Sequence, residues 1–242
     1  MNIVIDVGNS RVKLAIFNKL EMVYNEVISV KKIVSNVNDL IKKYKCSNGI
    51  ISSVGNLKKS QLKEIHQKIN LIELSSETRI PFINNYETPK TLGVDRIALV
   101  VAAVEIFKKS NALIIDAGTC ITYDFVNAKK EYYGGAISPG IKMRFKALHK
   151  FTNGLPLLHL EELINLTGRT TKESIQSGVV IGVINEIDSF INEYREKNED
   201  LTVVLTGGDV NFLAKRLKNT IFANPNFLLE GLNHILTYNL SK

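Results

Sequence analysis

Apolar positions at the start of the chain predict two strands joined by a polar turn. Residues 3–5 are continuously apolar, as in a strand covered on both faces. After the turn, Val12, Leu14 and Ile16 alternate with other residues, which is typical of a second strand. The pattern therefore predicts a β-hairpin over residues 3–17.

The rest of the chain alternates between strand-like and helix-like spacing of its apolar residues. In the first half the spacing predicts a strand at 21–28, a helix at 31–45, a strand at 49–54, a helix at 57–69, a strand at 71–74 and an apolar helix from 93 to 106. In the second half it predicts strands at 113–117, 121–126 and 131–137, a helix at about 141–151, a long helix from Thr170 to Lys197, a strand at 203–205, and helices at 209–217 and 226–238. This order predicts an α/β protein with two lobes, 1–110 and 111–242.

The turn of the first hairpin carries residues suited to phosphate. Asp6 ends the first strand, Gly8 lets backbone N–H groups approach a ligand, and Asn9 and Ser10 add short hydrogen-bonding side chains. Such a turn can cradle phosphate oxygens, with Lys13 neutralising charge and Asp6 holding Mg²⁺ directly or through water. A plain hairpin whose polar side chains only satisfy the turn fits this stretch equally well.

The same design returns in the second half. Asp116 and Gly118 follow an apolar strand and match Asp6 and Gly8 at one constant offset. Two such turns predict a duplicated domain that faces one nucleotide across a cleft. A third apolar strand runs into 207–208, a glycine pair against which adenine or ribose can pack.

Four motifs occur in this order: Asp6-x-Gly8-Asn9-Ser10, Gly93-Val94-Asp95-Arg96, Asp116-x-Gly118-Thr119 and Thr206-Gly207-Gly208. Together they resemble the signature set of type III pantothenate kinases, and the match spans nearly the whole chain. The resemblance implies two actin-like (ribonuclease H-like) lobes with a nucleotide cleft between them. It also implies an enzyme that transfers phosphate from ATP to pantothenate, in the first step of coenzyme A synthesis.

The resemblance implies cofactor contacts in both lobes. It places Mg²⁺ at Asp6 through the phosphates and a monovalent cation, K⁺ or NH₄⁺, at Asp116. The ATP contacts that it implies are Asp6, Val7, Gly8, Asn9, Ser10, Arg11, Val12, Lys13, Thr119, Gly207 and Gly208.

The motif at 93–96 has two interpretations. Judged by the residues alone, Asp95 is more readily an ordinary N-terminal cap of the helix, since Asp is preferred there and stabilises the helix dipole. The resemblance instead makes Asp95 the base for the substrate hydroxyl and Arg96 a substrate contact, next to Gly93 and Val94. A guanidinium can bind a carboxylate such as that of pantothenate with two hydrogen bonds.

Two further residues acquire a role from the resemblance. Tyr86 lies in an irregular stretch, 75–90, and the resemblance makes it a pantothenate contact. Thr171 lies in a pattern typical of a helix capping box, and the resemblance makes it reach pantothenate across a dimer interface. The enzyme is therefore expected to be a homodimer.

Composition narrows the classes of partner. The chain has 242 residues, 45% hydrophobic and 23% charged, and a net charge of +7. Its lysines are scattered in short pairs beside apolar helical positions, a distribution that argues against a nucleic-acid surface. Two distant cysteines, no basic and apolar leader, and no long apolar run predict a cytoplasmic protein without a membrane span.

Two other functions fit the phosphate turns. A sugar or acetate kinase of the same superfamily would use the same turns with a different acceptor. A nucleotide-binding regulator or filament-like protein would keep the fold without transferring phosphate to a small molecule. The motif at 93–96 argues against both, through the resemblance.

Overall fold

The structure is a computed structural model that describes residues 1–8, 11–53, 57–162 and 164–241. The chain forms two compact units. The first unit comprises Met1–Lys109, Lys129–Tyr133 and Asn226–Lys242, and the second comprises Ser110–Ala128 and Gly134–Pro225. The chain therefore leaves the first unit and returns to it twice, while the division into lobes 1–110 and 111–242 stays a prediction.

Strands and helices follow in an order typical of an α/β protein. The strands are β1 (Asn2–Val7), β2 (Val12–Asn18), β3 (Glu21–Ile28), β4 (Asn48–Ser53), β5 (Asn70–Glu73), β6 (Ile83–Asn84), β7 (Asn111–Ala117), β8 (Cys120–Val126), β9 (Glu131–Pro139), β10 (Leu201–Thr206) and β11 (Phe222–Ala223). The helices are α1 (Ile33–Tyr44), α2 (Lys59–His66), α3 (Val94–Ile106), α4 (Ile141–Phe151), α5 (Thr171–Gln176), α6 (Gly182–Lys197), α7 (Val210–Leu213) and α8 (Phe227–Leu240).

The two units repeat one strand order. In the first unit the order is β3-β2-β1-β4-β5, and in the second it is β9-β8-β7-β10-β11. The central strands β1 and β7 each pair antiparallel with the next strand of the chain, and parallel with β4 and β10 respectively. The predicted duplication of an α/β lobe is therefore confirmed at the level of topology.

Alternating side chains put one core on one face of the first sheet. Ile3, Ile5 and Val7 of β1 are fully buried and belong to an apolar cluster with Ile33 of α1 and Ile65 of α2. The other face of β1 and β4 packs against α8, and β4 also meets α3. Since side chains alternate along a strand, even-numbered residues of β1 point to the α8 side.

A second core fills the second unit. Leu113, Ile115 and Ala117 of β7 pack in one apolar cluster with residues of α4 and α6, among them Phe145 and Ile187. The predicted long helix is continuous from α5 to α6, and a π-helical segment, Ser177–Ile181, lies between them. The helix expected at 209–217 is shorter, because only Val210–Leu213 is helical.

The packing of α8 on α3 predicts a large effect of one methyl group. A Cβ added at Gly231 would lie 2.0 Å from the backbone oxygen of Ala98 and 3.2 Å from the Cβ of Ala102. Gly231→Ala is therefore expected to lower the free energy of unfolding by about 2–3 kcal/mol, measured by urea denaturation. The control is Gly182→Ala, where an added Cβ meets no described atom within 4 Å. Equal stability of Gly231→Ala and the wild type would contradict the prediction.

Candidate active site

The first turn places one carboxylate at the end of the central strand. Asp6 lies opposite Lys13 on β2 and opposite Ser52 on β4, and it is only 8% exposed. The N–H of Gly8 donates to the carbonyl of Arg11 at 3.1 Å and closes the turn. The predicted contacts Asn9 and Ser10 lie outside the described residues.

Not every predicted contact of this turn can act through its side chain. Val7 and Val12 are fully buried in the apolar core, so only their backbone groups are available to a ligand. Arg11 is exposed and Lys13 is partly exposed, so both can carry positive charge toward an anion.

The electrostatic environment of the Asp6 carboxylate favours binding of a cation. Burial raises the pKa of Asp6 from 3.8 to about 6, Lys13 opposes this shift, and the Asp95 carboxylate adds to it. An ionised Asp6 is thus destabilised in the ligand-free protein. A bound cation would remove that penalty, which is typical of carboxylates at functional sites.

The pKa of Asp6 predicts how the Asp6→Asn variant behaves. The native carboxyl holds its proton more tightly than the unfolded one, so the free energy of unfolding falls as pH rises from 3.8 to about 6. Above that pH range, the buried ionised carboxylate of Asp6 lowers the free energy of unfolding by about 3 kcal/mol. An asparagine at this position has no charge and avoids this penalty. Asp6→Asn is therefore expected to be more stable than the wild type at about pH 7.5, with a smaller difference at about pH 4.5. Urea unfolding at both pH values measures this.

A matched control separates burial from charge. Asp39 of α1 is exposed, so Asp39→Asn makes the same change in charge without relieving a desolvation cost. It is expected to show no such pH-dependent gain. An Asp6→Asn variant that is less stable than the wild type at neutral pH would contradict the argument.

The N-terminus of α3 presents the second carboxylate. Gly93 precedes the helix, and Oδ1 of Asp95 accepts a hydrogen bond from the N–H of Arg96 at 2.9 Å. A Cβ at Gly93 would lie 2.4 Å from that oxygen, so glycine leaves room for the carboxylate. The N-cap of α3 is Gly93, so the interpretation of Asp95 as the cap is wrong. The Asp95 carboxylate instead lies in the first turn of the helix, close enough to Asp6 to raise the pKa of Asp6.

Aromatic side chains hold the guanidinium of Arg96. Arg96 is 5% exposed, and its Cζ lies 5.6 Å from the centre of the Tyr86 ring. The Tyr86 ring stacks on Tyr132, with 6.2 Å between ring centres and 21° between planes. A flat cation on an aromatic face is held in one orientation, which suits bidentate binding of a carboxylate.

The loop that carries Tyr86 is fixed by backbone pairing. Residues of β6 pair in parallel with the start of β9, and the N–H of Asn85 donates to the carbonyl of Tyr132 at 2.8 Å. The N–H of Tyr86 donates to Oδ1 of Asn84 at 3.1 Å. Sequence reasoning missed Tyr132 as the support of Tyr86, because a two-residue strand leaves no periodic signal.

The second turn repeats the first with different neighbours. Asp116 lies at the end of β7, opposite Thr122 on β8 and Thr206 on β10. The N–H of Gly118 donates to the carbonyl of Cys120 at 2.9 Å. Thr119 is exposed at the tip of this turn, so its side chain is open to a ligand.

Glycines pack against this second turn. Gly207 has a φ of 96°, and a Cβ there would lie 2.4 Å from both Oδ1 of Asp116 and the carbonyl oxygen of Ala117. Only glycine combines that backbone conformation with so close an approach. Gly208 is exposed, so its backbone is open to a ligand, while packing of adenine or ribose on this glycine pair stays a prediction.

Thr171 is not the residue that caps its helix. The N-cap is Thr170, whose side chain accepts a hydrogen bond from the N–H of Glu173 at 3.2 Å. Thr171 is exposed and lines a cavity of about 920 Å³ together with Arg144 of α4 and with Arg169, which precedes α5. The capping interpretation of Thr171 is therefore wrong by one residue, and its hydroxyl is left for another role.

The predicted residues fall into two sets, one in each unit. In the first unit Asp6, Lys13 and Asp95 interact electrostatically, and Arg96 lies over Tyr86. In the second unit Gly207 lies against Asp116.

Within residues 1–8, 11–53, 57–162 and 164–241, no three His, Cys, Asp or Glu side chains cluster as a metal site. A single carboxylate fits Mg²⁺ that is held mainly by substrate phosphates and water. None of the helices described is long and apolar enough to cross a membrane.

Comparison with known proteins is consistent with these observations. A model of the type III pantothenate kinase family matches residues 2–193. A type III pantothenate kinase from Flavobacterium psychrophilum is 47% identical over 98% of this chain and 99% of its own length.

Solved structures share the fold at low sequence identity. A chain from Campylobacter jejuni, described as a Baf family transcriptional activator, has a TM-score of 0.64 at 20% identity and covers 99% of this chain and 100% of its own. A glucokinase from an Antarctic psychrotroph has a TM-score of 0.52 at 12% identity, with 98% of each chain covered. Both support the predicted fold of two actin-like lobes.

Proposed function

The chain belongs to the type III pantothenate kinase family, and we infer from this that it transfers a phosphate group from ATP to pantothenate. The product is 4′-phosphopantothenate, and the reaction is the first step of coenzyme A biosynthesis. The observation that carries the site assignment is the arrangement in the first unit. There, the Asp95 carboxylate and the Arg96 guanidinium follow one another at the start of α3, and Tyr86 lies beneath Arg96.

We propose that the first turn binds the phosphates of ATP. Gly8 and the backbone of Val7 and Val12 would donate or accept hydrogen bonds, as would Asn9 and Ser10. Lys13 and Arg11 would neutralise phosphate charge. Asp6 would hold Mg²⁺, and the ion would neutralise charge on the transferring phosphoryl group. The raised pKa of Asp6 supports this, because the ionised form gains most from a cation.

On the second unit, Thr119, Gly207 and Gly208 are the proposed contacts for the rest of the nucleotide. The exposed Thr119 hydroxyl and the bare backbone at Gly208 support this assignment. Asp116 is the proposed ligand of K⁺ or NH₄⁺. Its carboxylate lies directly against the Gly207 backbone, so a cation there would act next to the nucleotide contacts.

Pantothenate offers a carboxylate and a primary hydroxyl, and each has a proposed partner. The planar guanidinium of Arg96 would bind the carboxylate with two parallel hydrogen bonds. Tyr86 would line the same pocket, with Gly93 and Val94 as its backbone wall. Asp95 would accept the proton of the hydroxyl as it attacks the terminal phosphate, the role that phosphoryl transfer requires of a carboxylate.

Thr171 and the homodimer form one proposal. The Thr171 hydroxyl does not cap its helix, and it lines the cavity beside α4. We propose that it reaches pantothenate bound to a second copy of the chain. Cytoplasmic location and the lack of nucleic-acid partners stay predictions.

Neighbouring threonines provide a matched test of this role. Thr171→Val is expected to raise the KM for pantothenate about tenfold and leave stability unchanged, since one substrate hydrogen bond is lost. Thr170→Val is expected to lower the free energy of unfolding by about 1 kcal/mol through loss of the cap, with the KM unchanged. Steady-state kinetics and urea unfolding of both variants measure this. Equal effects of the two variants on KM would contradict it.

The function itself is tested by ADP release. Purified protein with Mg²⁺ and ATP is assayed with and without pantothenate, and with and without K⁺. Release that depends on pantothenate and on the cation is the expected result. Release with a sugar or with acetate, but not with pantothenate, would instead favour a different kinase of the superfamily. Tight ATP binding without turnover would indicate a regulator.

A further inference from the structure

Ser52 is a buried polar residue at the end of β4 whose hydroxyl lacks a partner. It is 0% exposed, and within the described part of the chain its Oγ makes no hydrogen bond. Burying a hydroxyl unpaired costs stability, and buried side-chain hydroxyls are nearly always paired. Alanine would fill the same space without that cost. A serine here therefore needs a reason outside the packing of the fold.

The position of Ser52 points to Asp6. The two residues are register partners in the parallel pairing of β1 and β4. Adjacent strands lie about 4.8 Å apart, and register partners of a parallel pair project to the same face. Ile51 belongs to the apolar cluster on the other face, so Ser52 and Asp6 share the face on which α8 packs. At that spacing, rotation of the side chains brings a serine Oγ and a carboxylate within hydrogen-bonding distance.

The second unit repeats this placement. Thr206 ends β10, is 2% exposed, and pairs in parallel register with Asp116. The strand order shows that β10 in the second unit corresponds to β4 in the first. Each repeat therefore puts a buried hydroxyl residue beside the aspartate that ends its central strand. Such a recurrence is expected if the hydroxyl serves the aspartate.

We propose that Ser52 is a positioning residue of the nucleotide site, whose hydroxyl donates a hydrogen bond to the Asp6 carboxylate when Mg²⁺-ATP is bound. The bond fixes the direction of the carboxylate toward the metal and phosphates. A hydrogen bond to an ionised carboxylate is stronger than one between neutral groups. The hydrogen bond that forms on nucleotide binding thus offsets the free-energy cost of burying the Ser52 hydroxyl without a partner in the free enzyme. This inference rests on the proposed role of Asp6.

The test compares nucleotide affinity with the stability of the free protein. In Ser52→Ala, the Kd for Mg²⁺-ATP, measured by calorimetric titration without pantothenate, is expected to rise about tenfold or more. The Tm of the ligand-free variant is expected to equal or exceed that of the wild type. Ser52→Cys keeps the shape with a weaker donor and should behave like Ser52→Ala, while Ser52→Thr keeps the hydroxyl and should restore affinity.

If the Ser52 hydroxyl only stabilises the fold, the variants are expected to change the Tm of the free protein and not the Kd for Mg²⁺-ATP. If the ligand-free Tm of Ser52→Ala falls, the hydroxyl already has a partner in the fold, and the proposal is wrong. An unchanged Kd in Ser52→Ala and Ser52→Cys also overturns it, and if Ser52→Ala fails to fold, Ser52→Cys decides. Ser53→Ala changes an exposed serine of the same strand and serves as the control, with an unchanged Kd expected.

The assay also separates this proposal from the proposed function. Binding of Mg²⁺-ATP needs no acceptor, so the effect of Ser52 is measured whether or not pantothenate is the substrate. Wild-type ADP release that ignores pantothenate would refute the acceptor assignment alone.

Discussion

Replacing Asp95 by Asn is expected to lower kcat for pantothenate phosphorylation by about 10²–10⁴-fold, the usual contribution of a positioned general base. Asn cannot take the proton of the attacking hydroxyl. It can still accept the hydrogen bond from the N–H of Arg96, so the start of α3 should be preserved. Steady-state kinetics with saturating ATP and pantothenate measure the effect.

Affinity for the nucleotide distinguishes this role from a general effect of charge. The Asp95 carboxylate raises the pKa of Asp6, so its neutralisation favours ionised Asp6 and should not weaken binding of Mg²⁺-ATP. Asp39→Asn, on an exposed face of α1, is the control with the same change in net charge. A kcat of Asp95→Asn close to that of the wild type would leave only the helix-end role for this residue.

Arg96→Lys is expected to raise the KM for pantothenate by about 10²–10³-fold, while the Kd for ATP stays unchanged. Lysine keeps the charge, but it cannot form two parallel hydrogen bonds to a carboxylate or stack as a plane on Tyr86. Two charge-assisted hydrogen bonds at about 1.5–3 kcal/mol each account for the size of the effect, part of which the ammonium group retains. Kinetics with varied pantothenate and calorimetry with ATP measure it.

The chain offers a close control for this substitution. Arg79 lies over the ring of Tyr238, with 5.2 Å between Cζ and the ring centre, in the same unit. Arg79→Lys removes an equivalent arginine–tyrosine contact away from the proposed pocket, and its KM is expected to stay unchanged. If the two variants raise the KM alike, the effect of Arg96→Lys reflects a loosened fold instead of lost recognition of the carboxylate.

Local patterns were sufficient to predict the strand ends at which the two candidate aspartates lie. Asp6 and Asp116 each follow an apolar strand and precede glycine, and both signals are contained within a few residues. The duplication was predictable for the same reason, because a repeated motif at one offset requires no knowledge of packing. The structure confirms the repeated topology around β1 and β7.

Features that depend on distant contacts were not predictable. The stacking of Tyr86 on Tyr132 follows from the pairing between β6 and β9, and the spacing of apolar residues along the chain does not predict that pairing. The helix predicted at 209–217 ends early, at Leu213. The chain that follows is instead held by Asp188 of α6, which accepts hydrogen bonds from the N–H of Lys218 and of Asn219. Such tertiary contacts override local helix propensity.

The cap of α5 is Thr170, one residue before Thr171, to which the capping interpretation assigned it. Thr170 and Thr171 have the same side chain, and either can begin a helix. The capping-box spacing selects between them, because the cap stands three residues before the glutamate. Glu173 therefore indicates Thr170, and its N–H does donate to the Thr170 hydroxyl.

The return of α8 to the first unit affects how the protein is made. Synthesis proceeds from the N-terminus, so the ribosome completes the second unit, which ends at Pro225, before it releases α8. Until then α3 lacks the helix against which Ala98 packs, and an apolar surface stays uncovered on the nascent chain. The first unit, whose translation begins first, is therefore the last to complete its fold. A ribosome that stalls near residue 225 would release a polypeptide that chaperones and proteases recognise.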